Sequence, residues 1–276
     1  MTERNSDARY TMGRSKGEEE RLIHQSQLYD AITRRFLNEA GVGSGMRVLD
    51  IGCGPGDVSL TAAELVGPDG AVVGVDVNPD IIDTARDRAQ AAGFSNVEFR
   101  AGDARTLDVG SDFDVLMGRL VLMYMGDPAE ALKQLSTRLR PGGIVAFQEA
   151  DFSYYHKQPD TPVANDLIEW AISVFERSGA HTDMGLNLFG AFVDAGLPEP
   201  EMDLAAPVGG PEYWTGYRFV VEAFRSMVPL IEEFGLATAE EVDLDTLADR
   251  LRNEVVSTKR AFMLPPHVTA WAVAPG

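Results

Sequence analysis

The chain has 276 residues, of which 45% are hydrophobic, and its 43 acidic against 24 basic side chains give a formal net charge of −19. This length allows one or two domains with a sizeable core, and no segment approaches the ~20 consecutive apolar residues that a membrane helix needs. A negative field of this size repels phosphate backbones, so we expect neither a membrane nor a nucleic-acid partner.

The N-terminal part of the chain predicts one helix. Residues 1–20 are polar and lack the apolar core of a signal peptide, so we expect a cytoplasmic protein. Residues 21–40 have apolar side chains at roughly helical spacing, and Gly41, Gly43 and Gly45 then end the helix before the first strand.

The first predicted strand, residues 48–51, opens into a loop with glycine at alternate positions, Gly52, Gly54 and Gly56. A helix is predicted from residue 57 to residue 66. Because glycine has no Cβ, a ligand can come close to the backbone of such a loop. In doubly wound α/β sheets this first strand-to-helix turn is where nucleotide-type ligands bind.

The spacing of these glycines separates two kinds of ligand. Dinucleotide-binding loops follow G-x-G-x-x-G, but here the third glycine comes one position earlier and Asp57 occupies its place. A carboxylate at that position would repel a pyrophosphate, which argues against an NAD-linked oxidoreductase. Asp50, directly ahead of the loop, suits a ligand that carries positive charge.

Four more strands are predicted after the glycine loop, and two of them end in acidic residues. They span residues 71–76, 98–104, 112–118 and 144–148. The first of these ends in Asp76, and an acidic residue about 20 positions after a glycine loop is placed to bind ribose hydroxyls. The next contains the run Gly102-Asp103-Ala104.

These motifs resemble those of the class I S-adenosylmethionine-dependent methyltransferases. The pattern Asp50-x-Gly52-x-Gly54-x-Gly56 resembles motif I of that family, and residues 139–143 (LRPGG) resemble the turn before its fifth strand. The motifs stand in family order over residues 46–150. The resemblance implies an α/β fold with a Rossmann-like, doubly wound seven-stranded sheet, and S-adenosyl-L-methionine as the cofactor. The chain is also similar to the ubiquinone/menaquinone-type group of small-molecule methyltransferases.

The resemblance assigns cofactor roles to individual residues. It implies that the backbone of the glycine loop meets the methionine portion, that Asp76 accepts both ribose hydroxyls, and that Asp103 reads the adenine amino group. Arg119 would face the methionine carboxylate or the acceptor pocket, or else form a surface ion pair. The predicted cofactor contacts are Tyr10, Gln25, Asp50, Gly52, Cys53, Gly54, Gly56, Asp76, Val77, Gly102, Asp103, Ala104, Arg119 and Leu120.

The second half of the chain predicts three helices and two strands. The helices span residues 127–138, 162–177 and 186–195, and the strands span residues 199–208 and 267–274. In the helix at 127–138, Asp127 is a plausible N-cap and Pro128 suits the first helical position.

A long segment separates the last two predicted strands. The plain class I fold joins its strands six and seven by a hairpin, but here residues 209–266 intervene, with helix-like runs at 213–234 and 244–262. A structureless loop of this length would be unusual in a compact domain, so we predict a helical cap. Its aromatic residues include Tyr213, Trp214 and Tyr217.

Three regions of the chain follow from these assignments. We predict an N-terminal helical lid at 1–45, a Rossmann-like S-adenosylmethionine-binding core at 46–208 and 267–276, and a helical cap at 209–266. Tyr10 and Gln25 would contact the cofactor from the lid, although a helix that merely covers the sheet explains them equally well.

Candidates near the transferring methyl group follow strands four and five. Glu149 is the first choice for an acceptor contact or a base, with a helix cap or a structural hydrogen bond as the alternative, and Tyr124 is the second. His156 and His181 are interpreted as loop histidines. The single cysteine, Cys53, excludes an intrachain disulfide framework, and no set of histidines and carboxylates has metal spacing, so we expect no metal.

The predicted function is methyl transfer to a small, partly apolar acceptor such as a secondary metabolite or a quinone-like molecule. Transfer from a sulfonium is an in-line displacement that depends mainly on positioning, so a general base is optional. The alternative is a cofactor-binding member of the fold that does not transfer methyl. We expect a monomer or a homodimer.

Overall fold

The computed structural model describes residues 7, 8 and 16–276, and Tyr10 lies outside them. The helices are α1 Lys16–Glu39, α2 Asp57–Val66, α3 Pro79–Ala91, α4 Pro128–Ser136, α5 Pro162–Arg177, α6 Met184–Asp194, α7 Gly216–Glu233, α8 Ala239–Val242 and α9 Leu244–Thr258, with a 3-10 turn at Leu122–Tyr124. The strands are β1 Arg47–Ile51, β2 Ala71–Asp76, β3 Val97–Ala101, β4 Phe113–Arg119, β5 Leu139–Ala150, β6 Glu201–Ala205, β7 Val208–Gly209, β8 Phe262–Met263 and β9 His267–Val273. In this part of the chain, no helix has the length and apolar character needed to cross a membrane.

Seven strands form one sheet in the order β3-β2-β1-β4-β5-β9-β6. Neighbouring strands from β3 to β5 pair in parallel, whereas β9 runs antiparallel to both β5 and β6. The order reverses between β1 and β4, and the crevice at such a switch point, at the carboxyl ends of the strands, is where ligands bind in open α/β sheets. This arrangement confirms the predicted Rossmann-like, doubly wound sheet of seven strands.

Local sequence explains several element boundaries. The side chain of Asn78 accepts a hydrogen bond from the amide of Asp80 at 3.1 Å and so begins α3. The predicted N-cap Asp127 accepts one from the amide of Glu130 at 3.0 Å and begins α4. Each cap satisfies a backbone amide that the first turn of a helix leaves without a partner.

The strand predicted at 199–208 is divided in the structure. β6 ends at Ala205, and the separate short strand β7 begins at Val208. Pro207 lies between them and has no amide hydrogen for the ladder, so a continuous strand is interrupted there. β7 pairs instead with β8, and the two-stranded ladder joins the beginning and end of the segment that carries α7, α8 and α9.

The core lies on both faces of the sheet. The central strand β1 is buried on both sides, and Val48, Leu49 and Ile51 are fully enclosed. Helix α7 packs against α1, α5 and α9. The long segment between β7 and β8 therefore packs against α1, the first helix of the chain. These packed helices enclose the space above the carboxyl ends of the strands.

Candidate functional site

A cavity of about 420 Å³ lies at the carboxyl ends of the central strands. One end is polar, and it is lined by the glycine loop and by Asp76, Asp103 and Arg119. The other end is apolar, with side chains from α5 and α7 and from the chain between β8 and β9. The apolar lining comprises Leu167, Ile168, Ala171, Phe175, Phe219, Val220, Ala223, Phe224, Met227, Phe262 and Leu264.

The three glycines of the loop all have positive φ but serve different purposes. A Cβ on Gly52 would lie 2.6 Å from a methyl carbon of Val121, and one on Gly56 would lie 2.8 Å from the ring of Phe99. A Cβ on Gly54, at φ +52°, would meet no atom of the described residues within 4 Å, and Gly54 lines the cavity. Gly56, predicted as a cofactor contact, does not line it, because this glycine faces the packing of Phe99.

Asp76 connects the end of β2 to the glycine loop. Its Oδ2 accepts a hydrogen bond from the amide of Gly54 at 3.0 Å, and its Oδ1 accepts one from the amide of Asn78 at 2.9 Å. A carboxylate oxygen has more than one lone pair, so each oxygen can accept more than one hydrogen bond. Val77, the next residue, is 61% exposed and lies at the rim of the cavity.

An ion-pair cluster surrounds Asp103. The guanidinium of Arg105 donates to Asp103 Oδ2 at 2.7 Å and to Asp7 Oδ2 at 2.6 Å, and Asp7 also accepts from the amide of Gly126. The hydrogen bond from Arg105 holds the pKa of Asp103 below its ordinary value, so Asp103 remains an anionic acceptor. No local pattern in the sequence indicates Asp7 or Arg105, because their pairing joins residues 98 positions apart.

Asp50 lies buried beneath the glycine loop. Its Oδ2 accepts a hydrogen bond from the hydroxyl of Ser59 at 2.5 Å, and the side chain is 1% exposed. Burial raises the pKa of Asp50 to about 7, against the opposing effects of the Ser59 hydrogen bond and the Arg119 charge. Bringing a cation into this end of the cavity would therefore favour the ionised form.

Arg119 follows β4 and faces the cavity. Its Nη1 donates to the hydroxyl of Thr33 at 3.1 Å, and among the described residues no carboxylate pairs with its guanidinium. Removal from bulk water lowers its pKa, although the nearby charges of Asp57 and Asp50 oppose that shift. The surface ion pair that was the alternative for Arg119 is absent from the described part of the chain, and its guanidinium is available to a carboxylate.

Glu149 requires a correction. It is fully buried and does not line the cavity. Its two oxygens accept hydrogen bonds from the backbone amides of Val121, Leu122 and Met123, at 3.0, 2.8 and 3.4 Å. The side chain therefore caps the 3-10 turn after β4, which was the alternative interpretation, and the structure does not place it against an acceptor.

Most of the other predicted site residues line the cavity. Those not yet described are Gln25, Cys53, Gly102, Ala104, Leu120 and Tyr124. Burial raises the pKa of Cys53 well above its ordinary value, so its thiol stays protonated and behaves as a small apolar group. Leu120 has φ +55°, a conformation that costs about 1–2 kcal/mol for a residue with a side chain.

Three aromatic residues of the 209–266 segment, Tyr213, Trp214 and Tyr217, lie outside the lining of the cavity. Trp214 packs edge-on against Tyr217, with ring centroids 5.3 Å apart, and neither residue lines the cavity. Tyr213 is 87% exposed. The cavity is lined instead by the buried face of α7, from Phe219 to Met227, so helical register rather than aromatic content selects the lining residues.

Comparisons with known proteins find methyltransferases among the similar sequences. The family model for the methyltransferase domain matches residues 43–177. Aklanonic acid methyltransferase DauC of Streptomyces sp. (strain C5) is 35% identical over 127 residues, which cover 46% of this chain and 58% of that enzyme. Demethylmenaquinone methyltransferase of Staphylococcus aureus is 31% identical over 135 residues, which cover 49% of this chain and 53% of that enzyme.

A solved structure shows the same fold over nearly the whole chain. It is phosphoethanolamine N-methyltransferase 2 of Haemonchus contortus, in complex with phosphomonomethylethanolamine and S-adenosylhomocysteine. The TM-score is 0.61 at 17% identity, and the match covers 94% of this chain and 58% of that chain. This likeness shows the fold of the chain, and the family match shows that residues 43–177 are similar to a methyltransferase domain.

Proposed function

We propose that this protein binds S-adenosyl-L-methionine at the polar end of the cavity and transfers its methyl group to a small, partly apolar acceptor at the other end. The observation that carries the proposal is the continuity of the cavity from the glycine loop to the apolar face of α7. Two ligands that react with each other need such a shared, enclosed space, because the barrier falls when the reacting atoms are held in line.

The residues at the polar end fit the cofactor. The cofactor's sulfonium carries a methyl group that is already activated for displacement. Gly54 leaves open space beside its backbone, Asp76 offers two carboxylate oxygens for the ribose hydroxyls, and Asp103 offers an anionic acceptor for the adenine amino group. We assign the methionine carboxylate to Arg119, whose guanidinium carries no ion pair with the described residues.

The apolar end supports the acceptor class. Its walls carry aliphatic and aromatic side chains from α5 and α7. Two relatives are named for aklanonic acid and demethylmenaquinone, and these names support a secondary metabolite or a quinone-like molecule. The chain spans 58% and 53% of the length of those two enzymes.

We assign no general base to the transfer. Glu149 is fully buried, does not line the cavity and accepts hydrogen bonds from three backbone amides, so we assign it neither an acceptor contact nor a proton transfer. Tyr124 lines the cavity and is proposed as an acceptor contact. On this proposal the protein positions the cofactor and the acceptor, desolvates them and excludes water from the cavity.

The same packing supports the proposed lid and cap. α1 carries Gln25 and Tyr29 at the cavity wall, and α7 packs on α1 while its buried face completes the apolar end. We therefore propose that residues 1–45 cover the cofactor and that residues 209–266 cover the acceptor. Both elements would have to move for ligands to exchange.

Two measurements test the proposed function. Titration calorimetry should show binding of S-adenosylmethionine and S-adenosylhomocysteine but not of NAD, and mass spectrometry should detect methylated products in an acceptor screen. Binding of NAD alone would contradict the proposal. Binding of the cofactor without any methylated product across quinones, polyketides and terpenoids would favour the alternative, a member of the fold that does not transfer methyl.

A further inference from the structure

His267 occupies a fixed position in the wall of the cavity. It is the first residue of β9 and pairs with Ala150 at the end of β5. Its ring stacks on Tyr29, with centroids 3.9 Å apart and planes 10° apart, and the Tyr29 hydroxyl donates to the carbonyl of Pro265 at 3.0 Å. The imidazole is therefore held between a helix and a strand, and it lines the cavity.

Strand order places this histidine away from the glycine loop. β9 is three strands from β1, with β4 and β5 between them. At about 4.8 Å between neighbouring strands, His267 lies about 14 Å across the sheet from the strand that carries the glycine loop. This side of the cavity is the side proposed for the acceptor.

A chain of hydrogen bonds determines the tautomer of His267. Arg119 Nη1 donates to Thr33 Oγ1 at 3.1 Å, and Thr33 Oγ1 donates to Gln148 Oε1 at 2.9 Å. Gln148 Nε2 lies 2.9 Å from His267 Nδ1. The amide nitrogen Nε2 of Gln148 can only donate, so Nδ1 of His267 is the acceptor in this contact. The imidazole proton therefore resides on Nε2.

The other ring nitrogen faces open space. Among the residues that the structure describes, Nε2 has no hydrogen-bond partner. The fully enclosed side-chain polar atoms without a partner in that part of the chain are Ser178 Oγ, Tyr217 Oη and Arg250 Nε. Nε2 of His267 is not among them, so it borders open space. His267 is only 2% exposed, and the space it borders is the cavity. Burial, together with the Arg119 charge, lowers the pKa of His267 well below its ordinary value, so the ring is neutral.

We propose that His267 donates a hydrogen bond from Nε2–H to an oxygen of the methyl acceptor and so selects apolar acceptors that carry a carbonyl or hydroxyl group. This inference rests on the proposed function, because it assigns the acceptor to the apolar end of the cavity. His267 binds the acceptor, whereas Thr33 and Gln148 act through it as positioning residues. A neutral donor of fixed direction inside an apolar pocket orients an oxygen without supplying a charge.

The tautomer is tested first, without any acceptor. Nitrogen-15 NMR of the histidine side chains, recorded on the protein saturated with S-adenosylhomocysteine, should show His267 neutral with its proton on Nε2 from pH 5 to pH 8. Gln148→Leu should release this preference and give mixed tautomers. A wild-type imidazolium at pH 6, or a proton on Nδ1, would overturn the proposal.

The acceptor contact is tested with a matched pair of two-ring compounds, 1-tetralone and tetralin, which differ in a carbonyl that can only accept. On the same loaded protein, one hydrogen bond predicts that the ketone binds about threefold to tenfold more tightly. His267→Phe should abolish the difference, and the exposed control His156→Phe should preserve it.

The outcomes separate this inference from the function on which it rests. The wild-type protein could bind S-adenosylhomocysteine and yet bind the ketone and the hydrocarbon equally, or bind neither of these two compounds. Either result overturns the role of His267 and leaves the proposed function standing. Failure to bind S-adenosylhomocysteine overturns both. If His267→Phe does not fold, the NMR tautomer and the wild-type preference for the ketone still decide the proposal.

Discussion

The carboxylate of Asp76 accepts a hydrogen bond from the amide of Gly54 at 3.0 Å, across 22 positions of the chain. The glycine loop and the acidic end of β2 are thus one connected unit, and the residue proposed to hold the ribose also holds the loop that would meet the methionine portion. A change at either residue is therefore expected to affect the whole polar end of the cavity.

Asp76→Ala should weaken S-adenosylmethionine binding strongly. It removes two charge-assisted hydrogen bonds worth about 1.5–3 kcal/mol each, so the dissociation constant measured by calorimetry should rise by about 100-fold or more. Asp76→Asn keeps one acceptor oxygen and should lose less, and the exposed control Asp69→Ala should bind normally. An unchanged dissociation constant for Asp76→Ala would refute the assignment.

Gly54→Ala and Gly56→Ala form a matched pair. Both positions have positive φ, +52° and +88°, so an alanine is strained by about 1–2 kcal/mol at either one. At Gly56 the new methyl also collides with Phe99, so that variant should unfold at a lower temperature. At Gly54 the methyl enters the cavity and should chiefly reduce cofactor binding.

Thermal unfolding and calorimetry on the two glycine variants together check this contrast. The expected pattern is a greater loss of melting temperature for Gly56→Ala and a greater loss of affinity per folded molecule for Gly54→Ala. The opposite pattern would contradict the assignment of Gly54 to ligand contact and of Gly56 to packing.

Asp50 should make stability depend on pH. Its pKa is about 7 in the folded protein against 3.8 ordinarily, so the folded state binds the proton more tightly. The contribution of Asp50 therefore lowers the free energy of unfolding by about 1.4 kcal/mol per pH unit as the pH rises from about 4 to about 7, and it is constant above that range. Asp50→Asn should flatten this slope in denaturant titrations. Glu149, whose pKa burial also raises to about 7, contributes equally to both proteins and cancels in the comparison.

The same carboxyl should link cofactor binding to proton release. A cationic ligand favours ionised Asp50, so binding near pH 7 should release protons, and the calorimetric enthalpy should change between buffers of different ionisation enthalpy. Asp50→Asn should remove most of that buffer dependence. Proton uptake on binding by the wild-type protein would contradict the sign of this coupling.

Ala223→Leu should act on the acceptor rather than on the cofactor. Ala223 lies on the face of α7 that lines the apolar end, so a larger side chain fills space there without leaving a void in the core. We expect KM for the acceptor to rise severalfold while S-adenosylmethionine affinity stays within about twofold. Trp214→Ala, outside the cavity lining, should instead lower the melting temperature. A loss of cofactor affinity in Ala223→Leu would contradict this, because it would mean that α7 borders the cofactor and not the acceptor.

Local patterns in the sequence were sufficient for the parallel strands of the sheet and for several polar residues at their carboxyl ends. A buried strand, an alternating glycine loop and an acidic residue at the end of the next strand constrain the backbone through residues close in the chain, and Asp50, Gly54 and Asp76 all line the cavity as a result. The N-cap Asp127 is local in the same sense, since its partner Glu130 is three residues away.

Tertiary packing decided which side chains the cavity receives at its other end. Glu149 and His267 both lie where β5 and β9 pair. The carboxylate of Glu149 accepts hydrogen bonds from the amides of the 3-10 turn after β4. The imidazole of His267 lines the cavity and is held by hydrogen bonds that run from Thr33 through Gln148. Those partners lie 26 to 119 positions apart in sequence, so no local spacing encodes them. Periodicity predicts that a helix such as α7 has a buried face, but only the docking of α7 on α1 and α5 determines that this face borders a cavity.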